Sequence, residues 1–292
     1  MKIRHFFQLF IAILSIFCLQ RVIRKGTDGF ALNKIHSNLA YHPDWEVPPL
    51  SAEEQQNLKT ILDQPYFYLT RGAQSYVFLS EDKNYVIKFF RLHRLLPPAW
   101  VTDIHWPFRL QPYRLKKIIN RNQSVYKDFV SYTIAFNKMR EETGLIFLHL
   151  NKTSNLKQKM TLHSPIHIAH EIDLDQMEFI VQKRADLIYP SLQKMMDSQE
   201  IEKAKEHLTS LIELLVLRCQ KGILDKDPKL STNFGFIDNK ARQIDIGRFT
   251  LDPLRTDVNK IEIIHITDNL NQWLKQDYPV LSYHLEKLIA DL

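Results

Sequence analysis

The stretch KGILDKDPKLSTNFGFIDNKARQIDIGRF, from Lys221 to Phe249, constrains this chain more than any other. Apolar alternation on both sides of Asp238-Asn239 predicts a short hairpin. Such a hairpin brings Asn233, just before its first strand, close to Asp245, just after its second. An amide oxygen and a carboxylate converging at one end of a hairpin are hard oxygen ligands suited to Mg²⁺. Asp225 and Asp227 lie a few residues upstream, and an acid there can orient a hydroxyl.

A chain of 292 residues buries a sizeable core in one large or two modest domains. Its 45% hydrophobic and 25% charged content are ordinary for a globular protein. The net charge of +6 is unevenly placed. Lys2, Arg4, Arg21, Arg24 and Lys25 supply five of those charges and residues 1–26 contain no acid, which leaves about +1 for the remainder. That balance is no nucleic-acid footprint. Two cysteines, Cys18 and Cys219, make no disulfide framework.

Residues 6–19, FFQLFIAILSIFCL, are apolar apart from Gln8 and Ser15 and carry basic flanks. No small-x-small site follows, so an uncleaved signal anchor over residues 1–25 is the expectation, with the membrane as partner and location. A buried N-terminal helix is the alternative, weakened by the lack of a polar face. Residues 26–50, with Gly26, Gly29, Pro43, Pro48 and Pro49, read as a linker. Ser51-Ala52-Glu53-Glu54 has the form of a capping box and starts a helix to about Leu62.

Three strands are expected between Phe67 and Phe90. Alternation in the third puts Val86, Lys88 and Phe90 on one face. A lysine between two apolar neighbours is costly unless its ammonium meets an anion. Residues 91–121 combine Trp100, Trp106, Phe108 and Tyr113 with Arg94, Arg109, Arg114, Lys116, Lys117 and Arg121, against the single acid Asp103. An anionic membrane surface would suit that composition. The favoured expectation is an insertion that packs its aromatics onto the smaller, sheet-bearing half, with Pro97, Pro98, Pro107 and Pro112 arguing against a continuous amphipathic helix.

Ser124 to Glu142 has helical spacing and ends before Gly144. Strands are expected at Gly144 to Leu150, Pro165 to Leu174 and Glu178 to Gln182. His163, His167 and His170 do not share a strand face, so zinc is rejected there. Lys183 to Asp186 reads as a hinge, Ser198 to Gln220 as a strong amphipathic helix, and a last helical region begins near Asp257.

This order of features resembles the protein-kinase-like superfamily, in which a strand lysine and a helix precede an Asp-x-x-x-x-Asn loop, a hairpin and Asp-Phe-Gly. Asp227-Pro228-Lys229 looks like the loop's Asp-Leu-Lys, Asn233 like its metal-binding Asn, and Asp245-Ile246-Gly247 like Asp-Phe-Gly. Val86-Ile87-Lys88 resembles the family's Ala-Ile-Lys, and Gly72-Ala73-Gln74-Ser75-Tyr76 its phosphate-covering loop with only the first glycine kept. The Asn-Phe-Gly-Phe run is similar to the HipA-like and small-molecule phosphotransferase branches. Three features depart from the pattern. The Asp227 to Asn233 spacing is one residue longer, no His-Arg precedes the acid, and Gln74 and Val77 stand at the other two glycine positions.

The resemblance implies an α+β, two-lobe kinase-like fold with an N-terminal hydrophobic helix. Its antiparallel sheet lobe with one helix would span residues 51–185, and a small helical lobe 186–292. It implies ATP bound by Lys88 with Gly72 and Ser75 of the loop, and Mg²⁺ held by Asn233 and Asp245. Asp128, the only acid in the first half of the helix that stands in the regulatory position, joins the cofactor side. Asp227 is the catalytic acid, with Asp225 competing for the role. Only about ten residues separate Gly247 from the next helix and no Ala-Pro-Glu follows, which argues against a phosphorylation switch and a protein-substrate platform. The implied function is membrane-anchored phosphotransfer to an unknown acceptor. The degraded glycine loop keeps an inactive pseudokinase scaffold as the alternative.

Overall fold

A computed structural model describes residues 2–292, without the side chains of residues 2–4, 6, 7, 9, 12 and 99. Helix α1 (Lys2–Gly26) opens the chain, and Phe10, Ile13, Leu14, Ile16 and Phe17 are exposed along it. Among the described residues no helix is long and apolar enough to cross a membrane. Phe6, Phe7, Leu9 and Ala12 of the expected anchor lie outside the described side chains.

Residues 26–50 pack against the body. Phe30, Ile35 and Trp45 are buried, and the Ser37 hydroxyl donates to Glu178 at 2.6 Å. The segment thus contributes core rather than slack. Helix α2 (Ala52–Leu62) begins at the anticipated capping box, with the Ser51 and Glu54 side chains each accepting from the other's backbone amide.

The sheet half contains β1 (Tyr66–Arg71), β2 (Ser75–Ser80), β3 (Tyr85–Phe90), β4 (Leu145–His149), β5 (Lys159–His163), β6 (Ala169–Asp173) and β7 (Phe179–Lys183). They form one seven-stranded sheet in the order β4-β7-β3-β2-β1-β5-β6. The expected all-antiparallel sheet needs correction, because β1 and β5 run parallel while every other pair is antiparallel. The strand expected at Pro165 also starts later. Pro165 to Ile168 forms the β5–β6 turn, with His167 at φ 61°, and β5 itself is an additional strand.

Between β3 and β4 the chain forms α3 (Leu92–Leu95), α4 (Ala99–Thr102) and the 33-residue α5 (Gln111–Thr143). Pro112 does not interrupt α5. It sits in the first turn, where its missing amide hydrogen costs nothing, and Gly144 closes the helix at φ 65°. The aromatics of 91–121 also depart from expectation. Trp100 stacks on Trp106 at 5.6 Å, while Phe108 and Tyr113 stand in solvent instead of on the sheet.

The helical half follows with β8 (Asp186–Leu187), α6 (Ile188–Asp197), α7 (Ile201–Gln220), β9 (Ile223–Asp225) and α8 (Leu230–Asn233). The hairpin β10 (Phe234–Ile237) and β11 (Lys240–Gln243) comes next, then β12 (Phe249–Leu251), α9 (Lys260–Asp277) and α10 (Pro279–Ala290). The hairpin has the expected register, with Asp238 and Asn239 both at positive φ as a two-residue turn requires. One apolar core runs from Phe90, Leu148 and Ile180 on the sheet, through Phe129 and Phe136 of α5, to Leu211, Leu270 and Leu285. A second core lies on the outer sheet face, under α2, around Tyr66, Phe78 and Phe89.

Candidate functional site

The hairpin base gathers the residues that the sequence singled out. Pairing of Phe234 with Gln243 ends the ladder, and the next amides, Ile244 and Asp245, donate to the Asn233 carbonyl at 2.7 and 3.3 Å. The Asn233 Nδ2 donates to the Asp227 carbonyl at 2.6 Å, and its Oδ1 accepts from the Thr232 hydroxyl at 2.8 Å. From the opposite half, Lys88 Nζ donates to the Ile244 carbonyl at 2.6 Å. Burial lowers the Lys88 pKa from the usual lysine range, and the nearby Asp245 carboxylate opposes that shift. Lys88, Asp227, Asn233 and Asp245 therefore meet through one continuous chain of hydrogen bonds.

The two competing acids differ in environment. Asp225 is nearly sealed, accepting from Gln243 Nε2 at 2.5 Å and from the Asp227 amide at 3.0 Å, with Arg218 at 3.8 Å. Burial raises its pKa, against the pull of those donors. Asp227 is exposed, and its carboxylate bonds no other group among the described residues. Asp225 is fitted to shape the loop, while Asp227 faces solvent. Strand pairing fixes Asp225, since Phe249 lies opposite it and ties the segment after Gly247 to the acid-bearing loop.

Ser131 of α5 was not anticipated. Its hydroxyl donates to the Ile246 carbonyl and accepts from the Phe249 amide at 2.6 Å, so α5 grips the Asp245-Ile246-Gly247 turn directly. Arg218 was missed as well. It is 1% exposed and donates to Gln243 Oε1 and Glu262 Oε1, each at 3.1 Å. Its position offered a signal, because Leu211, Leu214 and Leu215 precede it on the buried stripe of α7, where a charge needs partners.

The β1–β2 turn closes over this cluster. Ser75 is buried, its carbonyl accepting the Gly72 amide at 2.9 Å, and the buried Arg91 donates to the Gly72 carbonyl at 2.7 Å. Gln74 reaches across to Gly247, where an added Cβ would collide with its Oε1. Gln74 also lies close enough to Asp128 to favour its charged carboxylate. Asp128 makes no ion pair with Lys88 within 4.0 Å among the described residues. It stands instead near Arg248 and Asp245.

Burial lifts the Asp128 pKa to about 6, with Arg248 pulling it down and Asp245 pushing it up. A carboxyl whose folded pKa lies above its unfolded value favours folding when protonated, and that contribution is lost as pH rises through the folded value. Asp128→Asn is therefore expected to melt higher than wild type at pH 7, with the gap closing by about pH 4. Thermal unfolding across that range checks the sign.

No family model matches the chain. No curated protein sequence matches it either. Among solved structures it is similar to the bifunctional kinase-methyltransferase WbdD, at 16% identity and a TM-score of 0.35 over 77% of this chain and 46% of that one. A second likeness is to WbdD with the kinase inhibitor LY294002, at 17% identity and TM-score 0.34 over 76% and 44%. A third is to Rv3197 in complex with erythromycin, from Mycobacterium tuberculosis, at 12% identity and TM-score 0.32 over 82% and 61%. The chain spans less than two thirds of each of these proteins.

Proposed function

We propose that this chain is a kinase-like phosphotransferase that uses ATP and Mg²⁺, with a hydroxyl-bearing acceptor. The supporting observation is the hydrogen-bonded chain joining Lys88 to Ile244, Ile244 to Asn233 and Asn233 to Asp227. It brings a cation from the sheet half to the acids of the helical half. Asn233 Oδ1 and the Asp245 carboxylate would hold Mg²⁺; both are hard oxygens, and the exposed Asp245 leaves room for an ion that keeps much of its hydration shell. When bound, the metal supplies charge neutralisation at the phosphates. Lys88 would exchange its carbonyl partner for a phosphate oxygen, the Gly72–Ser75 turn would cover the nucleotide, and Asp227 would orient the acceptor hydroxyl and take its proton. The placing near HipA-like or small-molecule phosphotransferases rests on the Asn-Phe-Gly-Phe run alone. The apolar run of residues 6–19 is read as a single uncleaved membrane anchor. A Mg-ATP titration of the full chain, followed by thermal shift, tests the nucleotide site. A flat response in wild type would sink the reading.

The pseudokinase alternative keeps a specific observation in its favour. Gln74 lies against Gly247, so the turn is closed onto the Asp245-Ile246-Gly247 segment while the Asp245 carboxylate stays exposed. Gln74→Gly separates the two readings. If the closed turn is one state of a working site, the substitution should tighten Mg-ATP binding on the order of tenfold, as expected when the competent state is roughly one molecule in ten. Calorimetry showing no nucleotide binding by either protein would leave the scaffold.

A further inference from the structure

The N-terminal part of α5 and the segment before it form a surface left uncovered among the described residues. Phe108 is 91% exposed, Tyr113 60% and Ile104 58%, and Leu110, Leu115 and Ile119 are exposed beside them. The first buried residue of α5 is Val125, so the preceding turns project from the body. Large apolar side chains in that number are more than the scattered exposure usual for a soluble surface.

The same surface is strongly basic. Arg94, Arg109, Lys116 and Arg121 are exposed, Asp103 is the only acid between residues 91 and 121, and no carboxylate lies within 4.0 Å of these cations among the described residues. Arg114 holds the segment in place through the Val101 and Thr102 carbonyls, both at 2.7 Å, and Lys117 sits 4.4 Å above the Trp100 ring. Two stacked tryptophans, solvent-facing apolar side chains and unpaired cations are the chemistry of a headgroup boundary, where rings sit at the interface and cations meet anionic lipid.

Placement supports the same occupant. Asp28, just past α1, pairs with Arg71 at the end of β1 at 2.9 Å. Phe90, which ends β3 and leads into the patch, lies opposite Ser75 at the start of β2, beside that same turn. The apolar α1 and the basic aromatic patch therefore both adjoin the same end of the central strands β1, β2 and β3. We propose that residues 100–121 are a peripheral membrane-contact surface for anionic phospholipid headgroups, separate from the apolar run of α1. The proposal stands whether or not the cleft transfers phosphate. A nucleic acid would satisfy the cations, yet it gives no apolar cover to Ile104, Phe108, Leu115 and Ile119.

The test uses the full chain with vesicles of phosphatidylcholine, or of phosphatidylcholine and phosphatidylglycerol at about 7:3, carrying acyl-chain bromine. Quenching of tryptophan fluorescence, taken as the difference between wild type and W100F/W106F, reports this patch, while vesicle flotation reports total attachment including α1. Expected is quenching that needs the anionic lipid, falls with salt, and is lost in R109E/K116E. The salt sensitivity follows from screening of exposed charges. Both substituted residues are exposed and unpaired, so unchanged circular dichroism should accompany the loss. F108S, at the most exposed ring, should weaken quenching without altering charge. Equal quenching in neutral vesicles, no quenching in either, or quenching unchanged by R109E/K116E would overturn the proposal. So would displacement of the protein from anionic vesicles by an oligonucleotide at matched charge, which would assign the patch to nucleic acid.

Discussion

Asp245→Ala is expected to abolish the Mg²⁺-dependent part of nucleotide binding and to lower any phosphotransfer by roughly 10³-fold. The reason is local. Asp245 is the exposed carboxylate at the hairpin base, placed there by its own amide and that of Ile244 on the Asn233 carbonyl. Alanine preserves those backbone bonds and removes only the charged ligand. The carboxylate faces solvent, and its support of the Lys88 ammonium is offset by its repulsion of Asp128 and Asp225, so a thermal melt without nucleotide should change little from wild type. Binding titrations with and without Mg²⁺ then isolate the metal's share. Retention of full Mg-ATP affinity by the variant would remove Asp245 from the site, and with it the reason for reading the hairpin as catalytic.

Arg218→Ala should produce the largest loss of stability of any single change considered, about 3–5 kcal/mol. The guanidinium lies in the core between Gln243, Glu262 and Asp225, and its side chain is 1% exposed. Its removal strands the Asp225 carboxylate, itself 2% exposed, and leaves Gln243 Oε1 without a donor. An uncompensated buried charge costs more than the pair contributes. Urea denaturation gives the number directly. In the triple variant R218M/D225N/E262Q, which removes the charges together, much of the loss should return. If the single and triple variants unfold alike, the penalty comes from lost packing and not from orphaned charge.

Much of the layout was legible in the sequence where periodicity and turn chemistry agree. The third strand, the capped helix before the sheet and the Asp238-Asn239 hairpin all follow from local pattern, and the structure has each at nearly the expected bounds. Long α5 was only half legible, because Pro112 reads as a breaker until it is known to occupy a first turn. The strand Lys159–His163 escaped notice because its two buried side chains, Met160 and Leu162, are too few to show alternation. Its parallel pairing with β1 is a choice of partner, which no local pattern encodes.

Within the site, the meeting of Lys88 with the hairpin base was an expectation drawn from resemblance, and the Ile244 carbonyl is where the ammonium arrives. The division between Asp225 and Asp227 did not show in the local pattern, since burial beside Arg218 and Gln243 decides it and that packing is tertiary. Gln74 reads as a missing glycine in the chain. Folded, it is a side chain laid on Gly247, a contact between two turns that only tertiary structure can specify.

The continuous apolar core has a mechanical consequence. Because Phe90 and Ile180 share an interior with α5 and the C-terminal helices, prising the two halves apart like jaws would wet hydrocarbon that is now dry, at about 25 cal/mol for each Å² uncovered. Nothing comparable restrains the β1–β2 turn, whose tip rests on polar contacts from Arg91 and Gln74. Anything entering between Gln74 and Gly247 would be admitted by that tip peeling back, much as a flap lifts from an envelope whose seams stay glued.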